Sequence, residues 1–363
     1  MANRRTTGWA ASLAILWALG CTVTAGEEPD QKARKLIEEL RACKFRIVYE
    51  SYRNNNWELM IMNADSSNPA NITQTPEVDE MFPHASPDGR KLTFLAEEGK
   101  AGKKTREVFY MNLDGTGRTR VGQNGRQPFW SPDGKLIAYL RGTEVNYNEG
   151  GSTNRELHFY NIETQEYSEH PKKDISGLLN PCWSPNGKWI VASAMGGMGF
   201  GSSIVAIEAH GTRVIELARS HSEGKNIYQC RPDVSPDSQH AAWGKEDVDN
   251  RLGSGPNAMW VEVADIDFDS PEPKVTARRR VVSVKTPTET YHVDWSPDGQ
   301  YIAYSRGPRG GKMERARYVG GVQAPGWDIW VVKVSEPEVT VQVTHDGLSN
   351  KEPDWVVSGQ DRR

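Results

Sequence analysis

Five near-copies of one short phrase constrain this 363-residue chain more than any other feature: PHASPDGRKLTF, PFWSPDGKLIAY, PCWSPNGKWIVA, PDVSPDSQHAAW and VDWSPDGQYIAY. Their serines, Ser86, Ser131, Ser184, Ser235 and Ser296, lie 45, 53, 51 and 61 residues apart. Periods of this order predict stacked four-stranded units, as in propellers. Within each copy, Pro presets φ for the first corner of a turn, Asp or Asn tolerates the second, and Gly supplies a positive φ. SPDG therefore reads as a hairpin turn, with an apolar strand before it and an alternating strand such as Lys135-Leu136-Ile137-Ala138-Tyr139 after it.

Third strands follow at about 107–113, 156–162, 203–208, 258–264 and 328–334, and short fourth strands at 118–121 and 340–344. The chain ends complete the count. Segments 45–50, 57–63 and 70–73 supply strands two to four of a blade without a first strand, and 351–357 supplies a lone first strand. Joined, they predict a sixth blade. The expectation is an all-β fold: a six-bladed propeller of four-stranded antiparallel blades, closed by N- and C-terminal strands in one blade, which removes exposed sheet edges at the seam. The domain reading is a leader at 1–25, a short helical lead-in at 26–44 with its helix at 31–42, the propeller at 45–357 and a tail at 358–363.

Twelve Trp, 34 Gly and a mean hydropathy of -0.66 suit a turn-rich β protein with many half-buried strands. A formal net charge of -4 provides no global basic field, which argues against nucleic acid as a partner. The N-terminus carries Arg4 and Arg5, an apolar run from Trp9 to Leu19 too short for a membrane span, and then small residues. It reads as a bacterial-type export signal. Two outcomes stand open: cleavage after Ala25 with soluble export to the periplasm, or lipid attachment at Cys21 and retention at the envelope. Cys182 and Cys230 each stand a few residues before a motif serine, so they could pair or be two small buried residues.

The recurring W-S-P-D-G-x-x-I-A-Y, with a following Tyr110-Met111-Asn112-Leu113-Asp114-Gly115, resembles the PD40 (WD40-like) repeats of TolB-like six-bladed propellers. The resemblance covers about 45–357. Such propellers serve protein binding, sugar-processing lyases and the gating domains of peptidases, so the resemblance implies the fold and leaves function to the site. True TolB carries an α/β domain ahead of its propeller, and the reading here is a propeller without it. Participation in an envelope transport or integrity assembly is what the resemblance implies.

In a propeller the first strand of each blade lines the central channel. The SPDG turns fall on one face, and the loops 97–106, 141–155, 194–202, 244–257 and 306–327 fall on the other. Long loops gathered on one rim are the usual seat of binding residues. The last of them carries Arg306, Arg309, Lys312, Arg315 and Arg317 against Glu314, a run able to hold an anionic partner or simply a solvated charge run. Four residues before each motif serine, or its equivalent Val356, stand Phe82, Gln127, Asn180, Arg231, His292 and Glu352. The five polar members predict a binding ring at the channel mouth. Two positions on stand His84, Phe129, Cys182, Asp233, Asp294 and Asp354. His292, Asp294, Glu352 and Asp354 could together hold a divalent metal. No G-x-S-x-G elbow, H-E-x-x-H, P-loop or Rossmann signature is present, and no catalytic residue is assigned. Two functions follow. The first is a non-enzymatic scaffold without a cofactor, binding a protein or peptide in the cell envelope. The second is a saccharide binder or lyase-type or hydrolase-like enzyme at the same mouth, in which His292 or a carboxylate acts as base and Arg231 stabilises the developing charge.

Overall fold

The computed structural model describes residues 27–99, 105–142, 154–219, 221–222, 225–226, 229–246, 259–283, 288–308 and 323–357. The leader, the tail and the middles of four of the five long loops lie outside these residues. Six four-stranded antiparallel sheets form the six expected blades. Their innermost strands are Val78–Ala85, Gly125–Trp130, Leu178–Trp183, Gln229–Val234, Thr288–Trp295 and Ser349–Val356, which begin blades 1 to 6 in that order. Blade 6 closes the ring: Ser349–Val356 pairs with Arg46–Arg53, which pairs in turn with Asn56–Asn63 and the short Ala70–Asn71. A two-residue ribbon, His221–Ser222 with Lys225–Asn226, stands between blades 3 and 4 and was not foreseen.

Alternation along the strands gives every blade two apolar faces, and each faces a neighbour. Blade 3 meets blade 4 through Trp189, Val191 and Leu217 against Trp243, Ala264 and Phe268. Blade 4 meets blade 5 through Val261, Val263 and Val281 against Trp295, Ile302 and Val332. Similar layers fill the other junctions. Each fully buried side chain of this size contributes about 1.5–3 kcal/mol, so the ring is held by many equivalent layers and has no single central core. At the seam the layer recruits the helix Glu27–Ala42, which starts four residues before the expected boundary. Leu36 and Leu40 are buried against Tyr49, Met60, Tyr301, Val341 and Trp355, and Glu39 pairs with Lys333 at 2.8 Å.

The turns bear out their sequence reading. Each motif serine accepts the N–H of the residue five positions on, at 2.9 Å in all five copies. The same hydroxyl donates to the turn's Asp or Asn. Gly89, Gly134, Gly187 and Gly299 occupy the left-handed region at φ between 67° and 74°. In the fourth copy Ser238 adopts φ 59° at this position without glycine's freedom.

Candidate functional site at the channel mouth

The six residues four places before the motif serine share more than a sequence position. Phe82, Gln127, Asn180, Arg231, His292 and Glu352 all have positive φ, between 47° and 56°. At each of them the register between the first and second strands shifts by a bulge. Proline follows at five of the six: Pro83, Pro128, Pro181, Pro232 and Pro353. Proline lacks a donor and is tolerated at a bulge on an edge strand, which is what an innermost blade strand is. Each bulge turns its residue out of the ladder and aims it around the ring.

The freed backbone N–H groups are taken up by the preceding blade. Glu50 accepts from Phe82 at 3.0 Å, Gln127 from Asn180 at 2.8 Å, Ser193 from Arg231 at 2.8 Å and Ser305 from Glu352 at 3.2 Å. Glu50, Ser193 and Ser305 are buried and occupy one equivalent place on the second strands of blades 6, 3 and 5. Their role escaped the sequence reading, although a polar residue following the apolar half of RIVYESYR, WIVASAM or YIAYSRGP was a usable signal.

The side chains of this ring divide into two groups. Arg231, His292 and Glu352, from blades 4, 5 and 6, converge: Arg231 Nη1 pairs with Glu352 Oε1, and His292 Nδ1 lies 2.9 Å from Glu352 Oε2. The Arg231 guanidinium also lies 3.9 Å from the centre of the Tyr291 ring. Side-chain exposure is 4% for Arg231, 2% for Glu352 and 21% for His292, so the imidazole is the member that reaches the opening. Burial alone would raise the pKa of Glu352; the Arg231 charge and then His292 outweigh it and hold the carboxyl well below its ordinary range. Gln127 is buried with its amide oxygen engaged, Asn180 is half-buried, and Phe82 completes the ring.

Two residues deeper lies an acidic layer. Asp233 accepts the N–H of Trp295 at 2.7 Å, Asp294 that of Trp355 at 2.7 Å, and Asp354 that of Ala85 at 2.8 Å. Each carboxylate thus ties its blade to the next, through the seam and into blade 1. Burial, and for Asp233 and Asp294 the neighbouring carboxylates, raise the pKa values of all three. His84 Nε2 stands 3.9 Å from Asp354, and burial lowers its pKa to about 4. Cys182 is a free thiol whose Sγ lies 3.6 Å from the Val191 carbonyl, so it forms no disulfide; the side chain of Cys230 lies outside the described residues.

Both layers line one cavity with water-sized space of about 50 Å³, enough for a few waters. Among the described residues no three His, Cys, Asp or Glu side chains form a metal-holding group. Of the four candidate ligands, Glu352 has both oxygens engaged by Arg231 and His292, and Asp294 and Asp354 each have one oxygen on a backbone N–H. As arranged, they do not fit a metal. Of the basic loop only Arg306 is described, with its guanidinium 4.8 Å from the Trp330 ring centre; Arg309, Lys312, Arg315 and Arg317 lie outside the described residues. The loop 194–202 folds tightly, with Gly196 N–H donating to Gly201 O at 2.8 Å.

No protein-family profile matches the chain. One sequence relative, dipeptidyl-peptidase 5 of Porphyromonas gingivalis, is 40% identical over 72 residues, which span 18% of this chain and 10% of that protein. Among solved structures, a putative TolB from Agrobacterium tumefaciens superposes with a TM-score of 0.53 at 15% identity, covering 85% of this chain and 91% of that one. An oligogalacturonate lyase in complex with manganese gives a TM-score of 0.50 at 14% identity over 83% of this chain and 74% of that one. These likenesses concern the fold: six closed four-stranded blades make this chain a six-bladed β-propeller, similar in fold to the putative TolB.

Proposed function

We propose that this propeller is an exported, non-enzymatic scaffold that binds a protein or peptide across the long-loop face and channel mouth. One observation carries the reading: the charged groups at the mouth engage each other. Arg231 is sandwiched between Glu352 and Tyr291, so neither charge is free to bind a substrate group or move a proton. Asn180 and His292, both half-buried, remain reachable at the rim of a cavity lined also by Pro83, Pro128, Pro181 and Pro232. Such a rim suits the tip of a loop or peptide held at the surface. Envelope location rests on the leader-like N-terminus, and assembly with envelope proteins on the likeness to TolB.

The test is site-specific photocrosslinking in the native envelope, with a photoreactive residue at Asn180 and, as control, at Asp133 in a turn on the opposite face. A discrete adduct at Asn180 that is absent at Asp133 supports the scaffold; identical adducts at both, or none at Asn180, overturn it.

A second reading has one observation in its favour: His292, Glu352 and Arg231 do converge, as an acid–base site at the mouth requires. It predicts eliminative cleavage of an oligouronate that disappears in His292→Ala. Absence of unsaturated products with the wild-type protein, with and without added manganese, removes it.

A further inference from the structure

The outermost strand of blade 4, Val275–Val282, differs from its five counterparts. It is 8 residues long, against 5, 3, 6, 3 and 2 in blades 1, 2, 3, 5 and 6. Thr276 to Arg280 are exposed in an unbroken run, and the strand's outer edge meets no partner strand among the described residues. Near its end the Val281 carbonyl accepts the Glu338 N–H of blade 5 at 2.9 Å; along Thr276 to Arg280 such an edge presents unpaired backbone donors and acceptors.

The charge along it has one sign. Arg278, Arg279 and Arg280 stand in succession, with Lys245 two strands inward. The carboxylates in contact with them are Glu262, 2.8 Å from Lys245 and 3.8 Å from Arg278, and Asp265, 2.7 Å from Arg279. Four cations thus face two anions. Arg280 is held by the Trp260 ring, 3.4 Å from its centre, and makes no ion pair with a described residue. A guanidinium flattened on an indole keeps its N–H fork available for a carboxylate.

Mixed charges would shield an edge against all comers. A run of one sign repels a second copy of the same edge and favours a strand of opposite charge. We propose that the outer edge of blade 4 docks an acidic, extended segment of a partner protein, which adds as a fifth strand: backbone hydrogen bonds hold it, and Arg278 and Arg280 read carboxylates on alternate residues. At the turn end of the strand Asp269 is paired with Lys188 at 3.3 Å, so that carboxylate is partly neutralised. This surface lies on the outer rim, away from the mouth, and stands independently of the function proposed above.

The probe is a labelled, capped octapeptide of alternating Glu and Thr, titrated into the full chain at low salt and followed by anisotropy. The expected result is saturable binding, at least about tenfold weaker with Arg278→Glu/Arg280→Glu. It should also be at least about tenfold weaker for an isoelectric peptide carrying Pro at two Thr positions, which cannot add as a strand. Equal binding of the two peptides, binding to neither, or tighter binding of an oligonucleotide or an anionic vesicle overturns the proposal. Thermal melts establish that the double variant is folded; if it is not, Arg278→Gln/Arg280→Gln provides the same comparison.

Discussion

Replacing Glu352 by Gln tests the mouth most directly, because it removes one charge and almost no volume. In the wild-type protein Glu352 is 2% exposed at its side chain and meets Arg231, itself 4% exposed. Glu352→Gln leaves the guanidinium buried with the Tyr291 ring and a neutral amide. Breaking a buried pair in this way costs about 3–5 kcal/mol, because the remaining ion has lost its water and its partner. At roughly 2 °C per kcal/mol for a domain of this size, the melting temperature should fall by about 6–10 °C. Replacing both members by apolar residues of similar length, Arg231→Met with Glu352→Leu, should bring stability back to within about 2 kcal/mol of wild type. The pH dependence has a fixed sign. A carboxyl whose pKa is depressed in the fold contributes stability above its unfolded pKa and loses it as pH falls through the folded value, so the deficit of Glu352→Gln should shrink below pH 4.5. Thermal and urea unfolding of the three proteins at pH 7 and pH 3.5 supply the numbers. A loss under about 1 kcal/mol for Glu352→Gln at pH 7, or a double variant less stable than Glu352→Gln, would refute the claim that this pair is a desolvated charge couple.

Three further outcomes are expected. Ser238→Gly should raise stability by about 0.5–1 kcal/mol in urea unfolding, since it removes a side chain from a left-handed position at φ 59°; a loss of stability would show that the Ser238 side chain has a role of its own. Ser193→Ala strands the buried Arg231 N–H and should cost about 1–3 kcal/mol, with faster hydrogen exchange at that amide; unchanged exchange would remove the inter-blade tie. The raised pKa values of Asp233, Asp294 and Asp354 mean that the fold holds protons the unfolded chain has released, so their contribution to stability should grow as pH falls from 8 to 5. Asp294→Asn should flatten that slope and stabilise the protein at pH 8 by about 1 kcal/mol or more; an unchanged slope would place the protons elsewhere.

The fold was legible because its determinants are local and repeated. The turn chemistry sits within a few residues, and the count of strands at the two ends fixes the seam at Arg46–Arg53 and Ser349–Val356 without any angle being known. The helix was legible except for its first turn, where Glu27 and Glu28 favour the positive end of the helix dipole but carry no apolar period. The six mouth positions were found by counting back from the turn, whereas their geometry was not. The convergence of Arg231, His292 and Glu352, and the separate use of Gln127 on Asn180, depend on how far each side chain reaches toward the next blade. The five prolines after the ring residues were the missed clue to the bulge.

The seam has a mechanical meaning. Arg46 pairs with Val356, and the pairing runs from there to Tyr52 with Ser349, so the two closing strands enter the sheet at the same end. A pull on the two ends of the propeller would load these hydrogen bonds one after another, as a zip is opened, and not all together in shear. Blade 6 should therefore part at low force. Among the described residues the helix packed over Tyr49 and Trp355 opposes this opening, as do Asp354 on the Ala85 N–H, Asp294 on the Trp355 N–H, the Ser51–Asn350 hydrogen bond and the Arg231–Glu352 pair.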